Sequence, residues 1–228
     1  MLEIQSSYGR VSGRWETDVC IVGGGPSALT VDVGFFCGKQ VLAVNDSALR
    51  LSSSVQAAML SFFSLDNRWV RQHRDFLSAY DGEKFVALPL ETWPDCAGIP
   101  GVTYLKWDTA AGLSDGPGTI NTGGNSGYGA LGVAWLKGVK RIFLFGYDMD
   151  GEKYQEWVPR FRVAALQLAA WGTEVWNMNP DSKLDAFPKA KISDFKLSPA
   201  PGEGKLWGES QGAVLAIPSH QETGFMRR

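Results

Sequence analysis

Apolar residues in this chain gather into short continuous runs divided by glycine, proline, asparagine and aspartate, the pattern of strands buried on both faces of a sheet. Thr17-Asp18-Val19-Cys20-Ile21-Val22 is the first such run. It ends in three glycines, and Pro26 follows where the first turn of a helix accepts a residue without an N–H. Gln40 to Asn45 repeats the pattern, and the interval of about 16 residues fits a crossover helix, so the two strands are expected to pair in parallel.

Ala58 to Leu65 is apolar and stops at Asp66. Asn67 to Tyr80 carries Trp69, His73, Phe76 and Leu77 at helical spacing, and Lys84 to Leu88 reads as a short strand, which makes a third βαβ unit. Val102 to Trp107 predicts an edge strand. Asp108 to Asn125, rich in Gly, Asp, Thr and Asn, predicts a long loop, and long loops in compact domains are often functional. Ser126 to Gly138 predicts a helix, Lys140 to Phe145 a strand ending at Gly146, Pro159 to Trp171 a helix, and Thr173 to Met178 a last strand.

The alternation places the chain in the α/β class: a Rossmann-like fold with a mostly parallel sheet and helices on both faces. Residues 1–16 read as an N-terminal extension and 17–190 as the nucleotide-binding domain. From 191 to 228 Pro, Gly, Ser and charge become dense and periodicity fades, which predicts a peripheral C-terminal extension.

Composition narrows the function classes. With 228 residues, 44% apolar and nine Trp, the chain has ample material for a packed core. Its 22 basic and 24 acidic residues give a net charge of -2, so no global basic field would hold nucleic acid. Cys20, Cys37 and Cys96 are odd in number and lack CxxC spacing, which suits a reducing cytoplasm. No basic-then-apolar leader opens the chain and no run approaches the ~20 apolar residues of a membrane helix, so a soluble cytoplasmic protein is expected.

Gly23-Gly24-Gly25-Pro26-Ser27 has the chemistry of a nucleotide-facing turn. Residues without Cβ let backbone N–H groups approach phosphate, and a helix N-terminus behind them adds partial positive charge. Read as GxGxxG, the spacing gives Gly23, Gly25 and Ala28, with Asp46 where a ribose-binding acid would lie, so a flavin or nicotinamide remains open beside another phosphorylated nucleoside. A turn shaped only for strand-to-helix packing has the same residues.

A second loop, Asn121-Thr122-Gly123-Gly124-Asn125-Ser126-Gly127-Tyr128, precedes a helix and offers unhindered backbone donors, amides and hydroxyls without net charge, which suits an anion or a sugar. Turn formation and helix capping are the simpler use of such residues. Asp148, beyond the next strand, is placed to accept a substrate hydroxyl proton or to hold a metal with Asp150. His73 is of a residue type suited to proton transfer, or is a half-buried helix residue beside Trp69. Arg68, Arg71 and Arg74 recur every three residues and either meet phosphate or form a solvated face. No Ser-His-Asp spacing, HExxH, Walker lysine or zinc cluster is present.

The segments IVGGGPSAL, VLAVNDSAL and NTGGNSGYGALGVAWLKGVKRIFLFGYDMDG together resemble the superfamily of bacterial sialyltransferases active on lipooligosaccharide and the 6-hydroxymethylpterin pyrophosphokinase-like proteins. Val19 to Phe187, with SLDNRWVRQHRD and PDSKLDAFP, is similar to a family of phage and prophage proteins, some labelled "norphogenetic protein". The resemblance implies a CMP-like nucleotide donor contacted by Gly24, Gly25, Pro26, Ser27 and Asn45, with Asn125, Ser126 and Gly127 against its phosphate. Gly23, Asp46, Asp66, Arg68, Thr122, Gly124 and Tyr128 join the candidate nucleotide-binding set as neighbours in the same segments.

Those sialyltransferases use a His as general base and no metal. His73 and His220, the two histidines here, fall in no matching motif, which leaves Asp148 and His73 as catalytic candidates. Three functions follow: group transfer from a nucleotide-linked small-molecule donor to a hydroxyl, Mg²⁺-dependent pyrophosphoryl transfer with Asp148 or Asp150 as ligand, or a catalytically idle nucleotide-binding or virion-associated protein. A phage origin would place the protein in the host cytoplasm. The acceptor and any homo-oligomer stay open.

Overall fold

The apolar runs become strands because a parallel sheet covered on both faces buries every side chain of its inner members. β1 (Val19–Val22), β2 (Gln40–Val44), β3 (Leu60–Ser64) and β4 (Lys84–Ala87) are buried throughout. β5 (Val102–Asp108), β6 (Thr119–Asn121), β7 (Arg141–Phe145) and β8 (Glu174–Asn177) follow. The computed structural model describes residues 8–195. In it the strands form one sheet in the order β6-β5-β4-β3-β2-β1-β7-β8, and every neighbouring pair is parallel.

Side chains alternate between two layers along each strand. Ile21, Leu42, Phe63, Ile142 and Leu144 pack in one core with α4 (Ser126–Leu136) and α6 (Val158–Ala170). Cys20, Val41, Ala43, Phe62 and Phe143 pack in the other with α1 (Asp46–Leu51), α2 (Asn67–Gln72) and α3 (Arg74–Ala79). Helices thus cover both faces of an α/β, Rossmann-like fold. α4 is buried on all sides from Tyr128 to Ala134 and needs small residues to lie so close to the sheet. A Cβ on Gly129 would stand 2.6 Å from the Phe63 ring.

Three elements depart from the sequence reading. The link from β1 to β2 is two 3₁₀ turns, Pro26–Thr30 and Val33–Phe36, in place of a crossover helix. Asp32 causes the break: its side chain accepts from Gly34 N at 2.8 Å and starts a new turn, a local bond that competes with the helical ladder. The helix expected over 67–80 divides at His73, whose φ of -111° leaves the helical region while its ring lies 4.4 Å from that of Trp69. β6 sits inside the expected loop and takes the sheet edge from β5, pairing Lys106 with Thr119. Three residues are too few to show a period.

Residues 8–16, expected as an extension, join the packed structure, with Val11 and Trp15 in the core. Trp15 Nε1 donates to Glu83 Oε2 at 2.9 Å, and the buried Lys137 ammonium donates to Glu83 Oε1 at 2.5 Å and to the Ser12 carbonyl at 2.7 Å. At the other end Phe195 packs on Phe143, ring centroids 4.9 Å apart, and on Trp176 at 5.5 Å. The remainder of the expected C-terminal extension, residues 196–228 with His220, lies outside the described residues. Among the described residues no helix is long and apolar enough to cross a membrane.

Candidate functional site

From β1 the sheet grows in opposite directions, to β2 on one side and to β7 on the other. In open α/β sheets ligands bind beyond the carboxyl ends of the strands at such a point. A cleft of about 890 Å³ opens there, within the range of roughly 300–1,000 Å³ usual for small-molecule sites.

Gly23, Gly24, Gly25 and Pro26 form one wall. Gly23 N donates to Phe145 O at 2.8 Å, Gly25 N to Gly146 O at 3.0 Å, and Ser27 N to Asp148 Oδ2 at 3.3 Å. These bonds carry the β1–β7 ladder past the strand ends. They also explain the glycines: a Cβ on Gly25 would overlap the Asp148 carboxylate, and one on Gly146, at φ +70°, would stand 2.7 Å from Gly23 O. Ser47 Oγ holds the same turn by donating to Gly23 O at 2.7 Å.

Gly124, Asn125, Ser126 and Gly127 form the facing wall, at the N-terminus of α4. Asn125 caps the helix, its Oδ1 accepting from Tyr128 N at 3.1 Å, and Ser126 Oγ accepts from Leu65 N at 3.3 Å. The Tyr147 hydroxyl donates to Gly127 O at 2.8 Å. Burial pushes the Tyr147 phenol far up, so it remains a donor at any physiological pH. The N–H groups of Ser126 and Gly127 have no partner among the described residues, and an 11-residue helix directs its positive end at them.

Asn45 stands between the walls, at the end of β2, with φ 52° and ψ -125°, a backbone conformation that side chains rarely tolerate. Its Oδ1 is buried without a hydrogen-bond partner among the described residues. Such strain persists where the surroundings enforce it, and it clusters at ligand sites. Asp66 and Arg68 line the cleft from the start of α2, where Asp66 Oδ1 accepts from the amides of Arg68 and Trp69.

The end of β7 supplies Asp148 and Asp150, and the segment around α5 (Glu152–Gln155) supplies Lys153, Tyr154 and Trp157. Asp148 receives Asn179 Nδ2 on Oδ1 in addition to Ser27 N on Oδ2. Among the described residues no group of three or more His, Cys, Asp or Glu gathers as a metal centre.

No protein-family model matches the chain. No curated protein matches it either. Among solved structures, the sialyltransferase CstII from Campylobacter jejuni in complex with the substrate analogue CMP-3FNeuAc aligns at a TM-score of 0.48 and 14% identity, over 76% of this chain and 85% of that one. The same enzyme in complex with cytidine-5'-monophosphate aligns at 0.45 and 13%, over 75% of this chain and 84% of that one.

Five of the candidates named from the sequence do not line the cleft. Thr122 is buried beneath its loop and bonds Asp108 O, and Tyr128 packs in the core 5.1 Å from the Phe161 ring while its hydroxyl accepts from Gly112 N at 2.7 Å. Asp46 accepts from Trp69 Nε1, the His73 ring lies tilted at 41° against that of Trp69, and Ser27 meets the site only through its backbone. Ser47, Asn179, Lys153 and Tyr154 escaped the sequence reading, and Trp157, which reads from the sequence as a core or interface residue, lines the cleft. Lys153 to Trp157 follow Gly151 directly after the Asp148-Asp150 strand end, a placement that would have marked them. Asn179 comes from beyond β8 and had no local signal.

Proposed function

We propose that the cleft binds a phosphorylated nucleoside of the CMP type and that the protein transfers a glycosyl or related group from it to a hydroxyl. The observation that carries this reading is the α4 N-terminus, whose Ser126 and Gly127 amides, unpartnered among the described residues, line a cleft that also holds the strained Asn45, with its Oδ1 likewise unpartnered among them. Backbone donors at a helix start suit a phosphate and stabilise the charge that grows on it as the bond to the sugar breaks. Arg68 and Lys153 line the same cleft and add positive charge. The motif resemblance to the lipooligosaccharide sialyltransferases supports the same reaction class.

The acceptor hydroxyl must lose a proton as it attacks. With His73 away from the cleft, the carboxylates that line it take that role, and Asp150, exposed beyond the end of β7, is one that an incoming acceptor can reach. Thermal-shift and calorimetric titration with CMP, CDP, UDP, GDP, ATP, NAD and FAD, each with and without Mg²⁺, tests the reading. Stabilisation by cytidine nucleotides without metal is the expected result. Stabilisation by NAD or FAD alone would overturn it, a strict Mg²⁺ requirement would favour pyrophosphoryl transfer, and silence throughout would favour the idle protein.

Asn45→Gly separates binding from stability. Glycine accepts the conformation at φ 52°, so the fold is expected to gain up to about 1 kcal/mol, while CMP affinity falls about tenfold with the lost amide. Thermal melts and calorimetry on the same preparation measure both.

A further inference from the structure

We infer that Asp148 is a positioning residue: its carboxylate, held by Asn179, pins the Gly25 to Ser27 backbone to the end of β7 and so fixes the wall of the cleft. This rests on the nucleotide reading of the cleft for its functional consequence, though not for its geometry.

The two oxygens of Asp148 face two different elements. Oδ2 accepts from Ser27 N at 3.3 Å, and Oδ1 accepts from Asn179 Nδ2. The residue's own backbone is fixed by the segment after β8, with Lys183 N donating to Asp148 O at 2.7 Å and Ser182 Oγ donating to Tyr147 O at 2.6 Å. Asn179 is itself oriented, since Asp181 N donates to its Oδ1 at 3.0 Å and thereby turns Nδ2 toward Asp148. Gly25 leaves the space that the carboxylate fills, because a Cβ at that position would overlap it.

The arrangement reverses the expected polarity of the glycine turn. The amides of Gly23, Gly25 and Ser27 are engaged by Phe145, Gly146 and Asp148, and a carboxylate stands behind the turn. A phosphate there would meet negative charge and few donors. The turn therefore offers a flat surface without side chains for the neutral, hydroxyl-bearing part of the ligand, and the phosphate belongs at the α4 end.

A donor–acceptor exchange tests this. Asp148→Asn and Asn179→Ala are each expected to weaken CMP binding about tenfold in calorimetry, and together by little more, since both cut one network. The double variant Asp148→Asn with Asn179→Asp exchanges donor and acceptor and is expected to recover most of the affinity. A carboxylate needed only as a proton acceptor would leave CMP affinity unchanged in Asp148→Asn, and either that result or failure of the exchange to rescue would overturn the proposal. Hydrogen exchange at the Ser27 amide of the ligand-free protein reads the pin directly and should quicken about tenfold in Asp148→Asn. If no nucleotide binds the wild type, the ligand reading fails, and unchanged exchange at Ser27 would then sink the pin as well.

Discussion

Gly146→Ala should cost the protein about 2–5 kcal/mol. Two effects add at this position. The backbone has φ +70°, where a Cβ costs roughly 1–2 kcal/mol, and the new methyl would stand 2.7 Å from Gly23 O and 2.8 Å from Ala28 Cβ, an overpacking of roughly 1–3 kcal/mol. Neither neighbour can yield alone, because Gly23 is tied to Phe145 and Ser47 and Ala28 is buried. The two loops must part, so urea denaturation should show the loss and CMP titration should show a weakened site in the same variant. A stability within 0.5 kcal/mol of the wild type would mean that the bonds past the strand ends do not hold the loops together.

Phe161→Ala is expected to be as severe, for a different reason. The ring is fully buried on α6, with centroids 5.1 Å from Tyr128, 6.0 Å from Tyr147 and 6.4 Å from Phe187. Truncation leaves a cavity that these aromatic neighbours cannot collapse to fill, at a cost of about 3–5 kcal/mol, or a Tm lower by roughly 10 °C. Tyr147, which holds Gly127 O, loses one of its supports. Binding should therefore weaken at temperatures well below the melt, and a Phe161→Leu variant should restore most of both properties.

The strands were legible because burial on both faces leaves each one an unbroken apolar run. β1, β2 and β7 lie within the expected segments for that reason. The helix α4 was also legible, although it shows no polar face, because Asn125 caps it and Gly138 ends it. What failed were features decided by single side chains or by distant partners. Asp32 converted a helix into two turns, and β6 gained its identity from pairing with β5, not from its own residues.

The site divides the same way. Gly23 to Pro26, Asn45 and Gly124 to Gly127 stood out through their backbone chemistry, and all line the cleft. Thr122 and Tyr128 shared the loop sequence but point into the core, a distinction that only packing makes. Asn179 could not be anticipated, since its partner Asp148 is 31 residues away and the bond depends on β7 and β8 being neighbours.

The position of β1 has a consequence for synthesis. Val19 to Val22 pair on one side with Gln40 to Ala43 and on the other with Ile142 to Phe145. A chain emerging from the ribosome can join β1 through β5 early, yet the far edge of β1, whose four residues are all apolar, stays bare until β7 has been made. Such an edge is a template for wrong pairing. Fragments that end before Arg141 should aggregate where those ending beyond Asn177 stay dispersed, so the strand that completes the cleft also closes a hazardous surface during the protein's birth.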